Sequence, residues 1–338
     1  MTSVDRDACA VLLPLIVDLE ISQDVRTLFE RGCVSLLVGE TGDEYAAGAM
    51  TSERIAAETP EAVRGLVDGL SAIAGGPVTI AVDQELAGIE RLHRLVPSLP
   101  TKDECFTLGP DGVEAAAAAT ARAMRALGVT WTLAPTLEVV RGVNPWLAQR
   151  HLGPDPEVVS AITSAFIRGM ATGGVVATAK HFPGCGDAAT DPHHGEVHIT
   201  TSRQDFDAVH LPSFRAAFAA GVGTVMTGPA IIDCIDPVNP VTVSQANLQG
   251  LLREELGFTG LVVSVDLDSP ATALGVPVPQ RAVDALVAGC DLLLVGLPDA
   301  GIAAAAEIVR AVEDGRLPRE RLADAAARAR ALAASTAS

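Results

Sequence analysis

Aromatic side chains are scarce in this chain of 338 residues: eight Phe, two Trp and one Tyr, 3% in all. Hydrophobic residues still make up 49%, so Ala, Val and Leu must fill any core. Basic charge is also short, with 24 Lys and Arg against 42 Asp and Glu, a net charge of −18. A nucleic-acid or anionic-membrane partner would need a basic face, so neither is expected. The acidic balance does not by itself specify a cationic substrate, because acidic surfaces also serve solubility. Cys9, Cys33, Cys105, Cys185, Cys234 and Cys290 form no C-x-x-C pair, and several sit in apolar runs. They read as reduced, buried thiols. The first twenty residues lack the basic n-region of a signal peptide, and no apolar run approaches the roughly 20 residues of a membrane span. The expectation is a cytoplasmic protein.

What the chain does have is alternation. Eight short apolar runs recur: 11–19, 33–38, 78–82, 130–137, 175–180, 223–227, 261–266 and 291–295. Helical composition lies between them, as at 60–74, 112–126, 155–172, 203–220 and 244–256, with an Ala-rich helical tail at 300–312 and 319–338. Near-continuous apolar strands alternating with helices predict a parallel sheet covered on both faces. Eight such units fit an α/β fold of the (β/α)8 TIM barrel type, one domain over 1–338. A doubly wound open sheet is the alternative, but it wants a glycine-rich turn after its first strand. Leu19-Glu20-Ile21-Ser22 offers none.

The densest chemistry comes after the fifth run. Lys180-His181-Phe182-Pro183-Gly184-Cys185-Gly186-Asp187 and then Asp191-Pro192-His193 bring a lysine, two histidines, two aspartates and a thiol into fourteen residues. A carboxylate two residues from an imidazole can raise its pKa and select its tautomer, which makes Asp191 and His193 a candidate acid/base unit. His194 and His198 add imidazoles nearby, but the spacing matches no zinc pattern, and no metal or other cofactor is expected.

This string resembles the KHFPGHGDTxxDSH pattern of glycoside hydrolase family 3, in its bacterial single-domain β-N-acetylglucosaminidase branch. Ile80-Ala81-Val82-Asp83-Gln84-Glu85 resembles a strand ending in VDQEGGRVxRL, with Arg91 at the second Arg position and Gly88 where the first Arg is usual. Asn144 to Gly153 resembles NPVIGDRSFG, which places Arg150 at that pattern's Arg. Val225-Met226-Thr227-Gly228-Pro229 resembles VMTAH with Pro229 in place of the His. The resemblance implies a sugar or sugar-derived small-molecule substrate, held by Asp83, Arg91, Arg150, Lys180 and His181; Cys185 stands where the pattern has a His, and is either a further substrate contact or a small residue filling a gap. The resemblance makes His193 the acid/base and Asp191 its partner. A monomer or homodimer is expected.

A second pattern is altered. Leu256 to Leu267 resembles LGFxGVVVSDDL, whose first Asp is the family's nucleophile. Val265 stands there, and Asp266 matches the second Asp. Adjacent residues of a regular strand face opposite sides, so Asp266 could replace its neighbour only if the backbone departs from strand geometry. Three expectations result. The first is an enzyme with altered or non-hydrolytic chemistry built on the Asp191–His193 half. The others are a sugar-binding protein without turnover, and a conventional glycosidase with Asp266 as displaced nucleophile.

Overall fold

The computed structural model describes residues 1–147, 150–273 and 275–336. In chain order its strands are β1 Leu12–Ile16, β2 Ser35–Val38, β3 Thr79–Val82, β4 Trp131–Thr132 and β5 Thr178–Phe182. They continue as β6 His198–Ile199, β7 Thr224–Thr227, β8 Ile231–Ile232, β9 Leu261–Val263 and β10 Leu293–Val295. Every ladder between them is parallel. One sheet runs β10-β1-β2-β3-β4, a second runs β5-β7-β9, and β6 pairs with β8 apart from both. Single parallel bridges connect the two larger sheets: Trp131 to Val176 and Thr136 to Lys180 on one side, Val263 to Leu292 on the other. The eight apolar runs of the sequence each overlap one strand of these two sheets.

Both faces of the strands are buried, which explains why the runs lack polar alternation. Leu12, Leu36, Ile80 and Leu293 pack outward against helices in the larger core. Their neighbours Leu13, Leu37, Ala81 and Leu294 pack inward with Trp131, Leu133, Met226 and Val263. This is the two-residue period of strands expressed in burial alone. Trp131 supplies the bulk that scarce aromatics would otherwise provide, and its indole N–H donates to Thr178 Oγ1 at 2.7 Å.

Several helices obey the expected punctuation. Pro60–Ala74 starts on the Thr59 side-chain cap and ends at Gly75, whose φ of 67° suits a glycine. Asp155 caps Pro156–Thr172. Other expectations need correction. The stretch expected at 112–126 belongs to Lys102–Ala126, interrupted where Gly109 leaves helical geometry ahead of Pro110. The stretch at 203–220 is two helices, Arg203–Val209 and Leu211–Ala219, the second opening with a proline that lacks the N–H to continue the first. The stretch at 244–256 is Ala246–Glu255, wound as a π-helix. Ser3–Ala10, Gln23–Glu30 and Val278–Ala288 are further helices. The tail helix spans Arg319–Ser335, and residues 337 and 338 of the expected stretch lie outside the described residues.

Strand ends decide which side chains reach the C-terminal edge of the sheets. The fourth run is a strand only at Trp131–Thr132, because Pro135 has no N–H for a ladder. The fifth extends two residues further than expected, so Lys180 is internal to β5. The seventh stops at Val263, before Val265 and Asp266. Among the described residues no helix is long and apolar enough to cross a membrane.

Candidate active site

A cleft of about 1650 Å³ opens at the C-terminal ends of the strands of the two larger sheets. Chain leaving β2 brings Glu40, chain leaving β3 brings Asp83 and Glu85, and β5 itself brings Lys180 and His181. The segment after β9 brings Val265, Asp266 and Asp268.

The floor is an ion-pair cluster. Lys180 Nζ lies 2.6 Å from Asp83 Oδ1 and 2.6 Å from Glu85 Oε1. Arg150 donates from Nε and Nη2 to both oxygens of Glu85, at 2.8 and 2.7 Å. Burial alone would raise the Glu85 carboxyl, but the Arg150 and Lys180 charges outweigh it and hold the group well below its ordinary range. Burial likewise works against the Lys180 cation, and Asp83 and Glu85 overcome it, so its pKa is raised. Arg150 Nη1 also donates to the Tyr45 hydroxyl, and the Arg150 guanidinium sits 5.1 Å from the Tyr45 ring centroid. His181 is buried beside Trp146, with Nδ1 2.9 Å from Glu138 Oε1. Burial pushes the imidazole pKa down against the opposing pull of Glu138, which favours a neutral ring.

Asp191 and His193 meet at the rim. His193 Nδ1 is 2.7 Å from Asp191 Oδ1, and the same oxygen accepts the His193 backbone N–H at 2.9 Å. The Asp191 carboxyl at this distance favours the neutral-ring tautomer that carries its proton on Nδ1. The Tyr45 ring meets the imidazole edge-on at 5.2 Å.

The stretch after β9 holds Val265 and Asp266. Because regular strand geometry ends at Val263, the alternation rule does not govern the next residues, and both Val265 and Asp266 line the cleft. Val265 N–H donates to Thr227 Oγ1 at 2.9 Å, and Asp266 Oδ1 accepts from Asp268 N–H at 2.9 Å. Burial lifts the Asp266 carboxyl to about 6; the Asp268 N–H and the Arg281 charge pull it down, while the Asp268 carboxylate pushes it up.

Two expected ligand contacts lie elsewhere. Arg91 is fully buried beneath the cleft: Nε donates to Gly39 O at 2.6 Å and both Nη atoms bind Glu58 at 2.8 Å. Cys185 is also fully buried, and its thiol pKa is driven far up by an apolar, desolvated setting that gives no access to thiolate. Its Sγ fills space against Gly228, where an added Cβ would come within 2.8 Å. Asp187 binds Arg141, Thr201 and His210 rather than any cleft group, and His198 pairs with Asp233 and Glu196. Among the described residues no group of three or more His, Cys, Asp or Glu is placed to hold a metal ion. Ala148 and Gln149, within the 144–153 match, lie outside the described residues.

Gly88, standing where the resemblance places an arginine, has a local reason. A Cβ there would overlap Glu85 Oε2 and lie 2.9 Å from Glu85 Cβ. Glu85 is pinned by two cations and cannot move aside. Sequence reasoning assigned no role to Glu40, Tyr45, Glu85 or Glu138. Two signals were there to be read: Glu85 is two residues beyond Asp83, and Tyr45 is the chain's one tyrosine.

Residues 43–332 match the glycosyl hydrolase family 3 N-terminal domain, and the chain belongs to that family. A β-hexosaminidase from Alkalilimnicola ehrlichii is 33% identical over 245 residues, 70% of each chain. One from Stenotrophomonas maltophilia is 35% identical over 244 residues, 70% of this chain and 72% of that one. A family 3 β-N-acetylglucosaminidase structure from Paenibacillus superposes with a TM-score of 0.90 at 30% identity, covering all of this chain, which spans 63% of that one. The β-N-acetylhexosaminidase from Beutenbergia cavernae superposes at 0.85 with 26% identity and 99% coverage of each.

Proposed function

We propose that this chain is a β-N-acetylglucosaminidase-like glycosidase that uses Asp191–His193 for proton transfer and Asp266 as its carboxylate nucleophile. The observation that carries the reading is the end of β9 at Val263, which lets Asp266 line the same cleft as His193. The fold reading beneath it is a (β/α)8 barrel, one domain over 1–338. The ladders and the bridges at Trp131–Val176 and Val263–Leu292 support it by linking the two larger sheets at both flanks.

The chemistry runs in two displacements. Asp266 attacks the anomeric carbon while His193 Nε2–H gives its proton to the departing glycosidic oxygen. The neutral His193 then takes a proton from water, and that water attacks the same carbon and releases Asp266. Asp191 orients the ring and steadies the imidazolium state. Lys180, Asp83, His181 and Arg150 orient the sugar by hydrogen bonds to its hydroxyls. Arg91 and Cys185 support the floor from below. The deciding assay is hydrolysis of p-nitrophenyl N-acetyl-β-glucosaminide by wild type, His193→Ala and Asp266→Asn. Turnover in wild type that falls in both variants is the expected result. Turnover that survives Asp266→Asn removes the displaced nucleophile. No turnover, with the sugar still bound, makes the chain a binding protein.

A further inference from the structure

Charge in the cleft floor does not balance without help. Asp83 and Glu85 are matched by the cations of Lys180 and Arg150. Glu40 is a third carboxyl of this floor, and among the described residues no cation forms an ion pair with it. Its Oε2 is closed off from solvent and has no hydrogen-bond partner among the described residues, although the residue lines the cleft. A buried polar atom without a partner costs stability, so its presence calls for an explanation outside the free protein.

We propose that Glu40, whose enclosed Oε2 lines the cleft without a partner, is a specificity-determining residue that hydrogen-bonds a ligand hydroxyl beside Asp83 as a neutral carboxylic acid. This inference rests on the reading of the cleft as a sugar site. The groups facing Glu40 are Asp83 and Glu85, which oppose its ionisation, and Lys180 and Arg91, which favour it. Burial, then the two carboxylates, lifts its pKa to about 8. The side chain thus offers what its neighbours do not: an O–H donor and a carbonyl acceptor on one uncharged group. A sugar seated over it removes remaining water and disfavours the charged form further. Binding above neutral pH must therefore draw a proton from solution.

The test is calorimetric titration with N-acetylglucosamine between pH 6 and 9.5, in buffers of different ionisation enthalpy. Wild type is expected to take up a fraction of a proton on binding at pH 8 to 9 and to lose affinity by up to tenfold per unit as pH rises above about 8, levelling off once the ligand-bound pKa is passed. Glu40→Gln, neutral and still a donor, is expected to bind within about threefold of wild type at pH 7. It should show no proton uptake. Glu40→Ala is expected to weaken binding about tenfold at pH 7 through the lost hydrogen bond. Proton uptake that persists in Glu40→Gln, or wild-type affinity in Glu40→Ala, overturns the role of Glu40 and leaves the sugar site standing. Absence of sugar binding by wild type overturns both.

Discussion

Arg150 and Glu85 form a two-pronged ion pair, 2.8 and 2.7 Å, in which the carboxylate is 1% exposed. Lys180 joins the same carboxylate, so one anion organises two cations that come from different parts of the chain. Removing it leaves both cations buried with a single remaining anion, Asp83. Glu85→Ala is therefore expected to cost about 3–5 kcal/mol of stability, measured by denaturant unfolding. Glu85→Gln should cost less than Glu85→Ala because it keeps the packing. A loss below about 1 kcal/mol in Glu85→Ala would mean that water already satisfies the cluster.

The Asp191–His193 contact makes a different prediction, because both side chains are partly exposed and little stability depends on them. His193→Ala is expected to lower kcat by a factor on the order of 10² to 10⁴, the range of a lost general acid/base. The melting temperature should hold. Asp191→Asn keeps the shape but no longer favours the productive tautomer, so kcat should fall while KM changes little. A substrate with a leaving group that needs no protonation should partly rescue both variants, which a merely misfolded loop would not allow.

How much of this was legible in the sequence depends on range. Apolar runs reveal strands because both faces of a parallel sheet are buried, and all eight runs overlap one. Their ends were misjudged where a local break intervened, at Pro135 and after Val263. Alternation along a regular strand leaves Asp266 a nucleophile only if the backbone departs from strand geometry, and the sequence does not show that β9 ends at Val263. Arg91 and Cys185 matched motif positions, yet motif spacing says nothing about whether a side chain points into the cleft or beneath it. Glu40 and Tyr45 carry no motif at all; only folding brings them to Asp83 and Arg150.

Gly88 gives a prediction about steric fit. An arginine at this position has to share space with Glu85, whose Oε2 the new Cβ would overlap. Gly88→Ala is expected to destabilise the protein by about 1–3 kcal/mol, in the range of overpacking a buried site. Gly88→Arg should do worse and gain no affinity for sugar. Combining Gly88→Ala with Glu85→Ala should recover part of the loss, because the two changes relieve the same contact.

Asp266 is the residue on which catalysis and folding give opposite pH signs. As a nucleophile it must be ionised, and burial places its pKa at about 6 against an ordinary 3.8. kcat/KM is then expected to fall about tenfold per unit as pH drops below about 6. Stability should move the other way. A carboxyl whose pKa is raised by folding binds more protons in the folded state, so its contribution falls as pH rises from about 4 to 6 and stays low above that. Asp266→Asn should therefore abolish turnover while raising stability at pH 7 relative to pH 4, compared with wild type. A variant that loses activity and stability together at pH 7 would show Asp266 to be a structural anchor for the loop after β9.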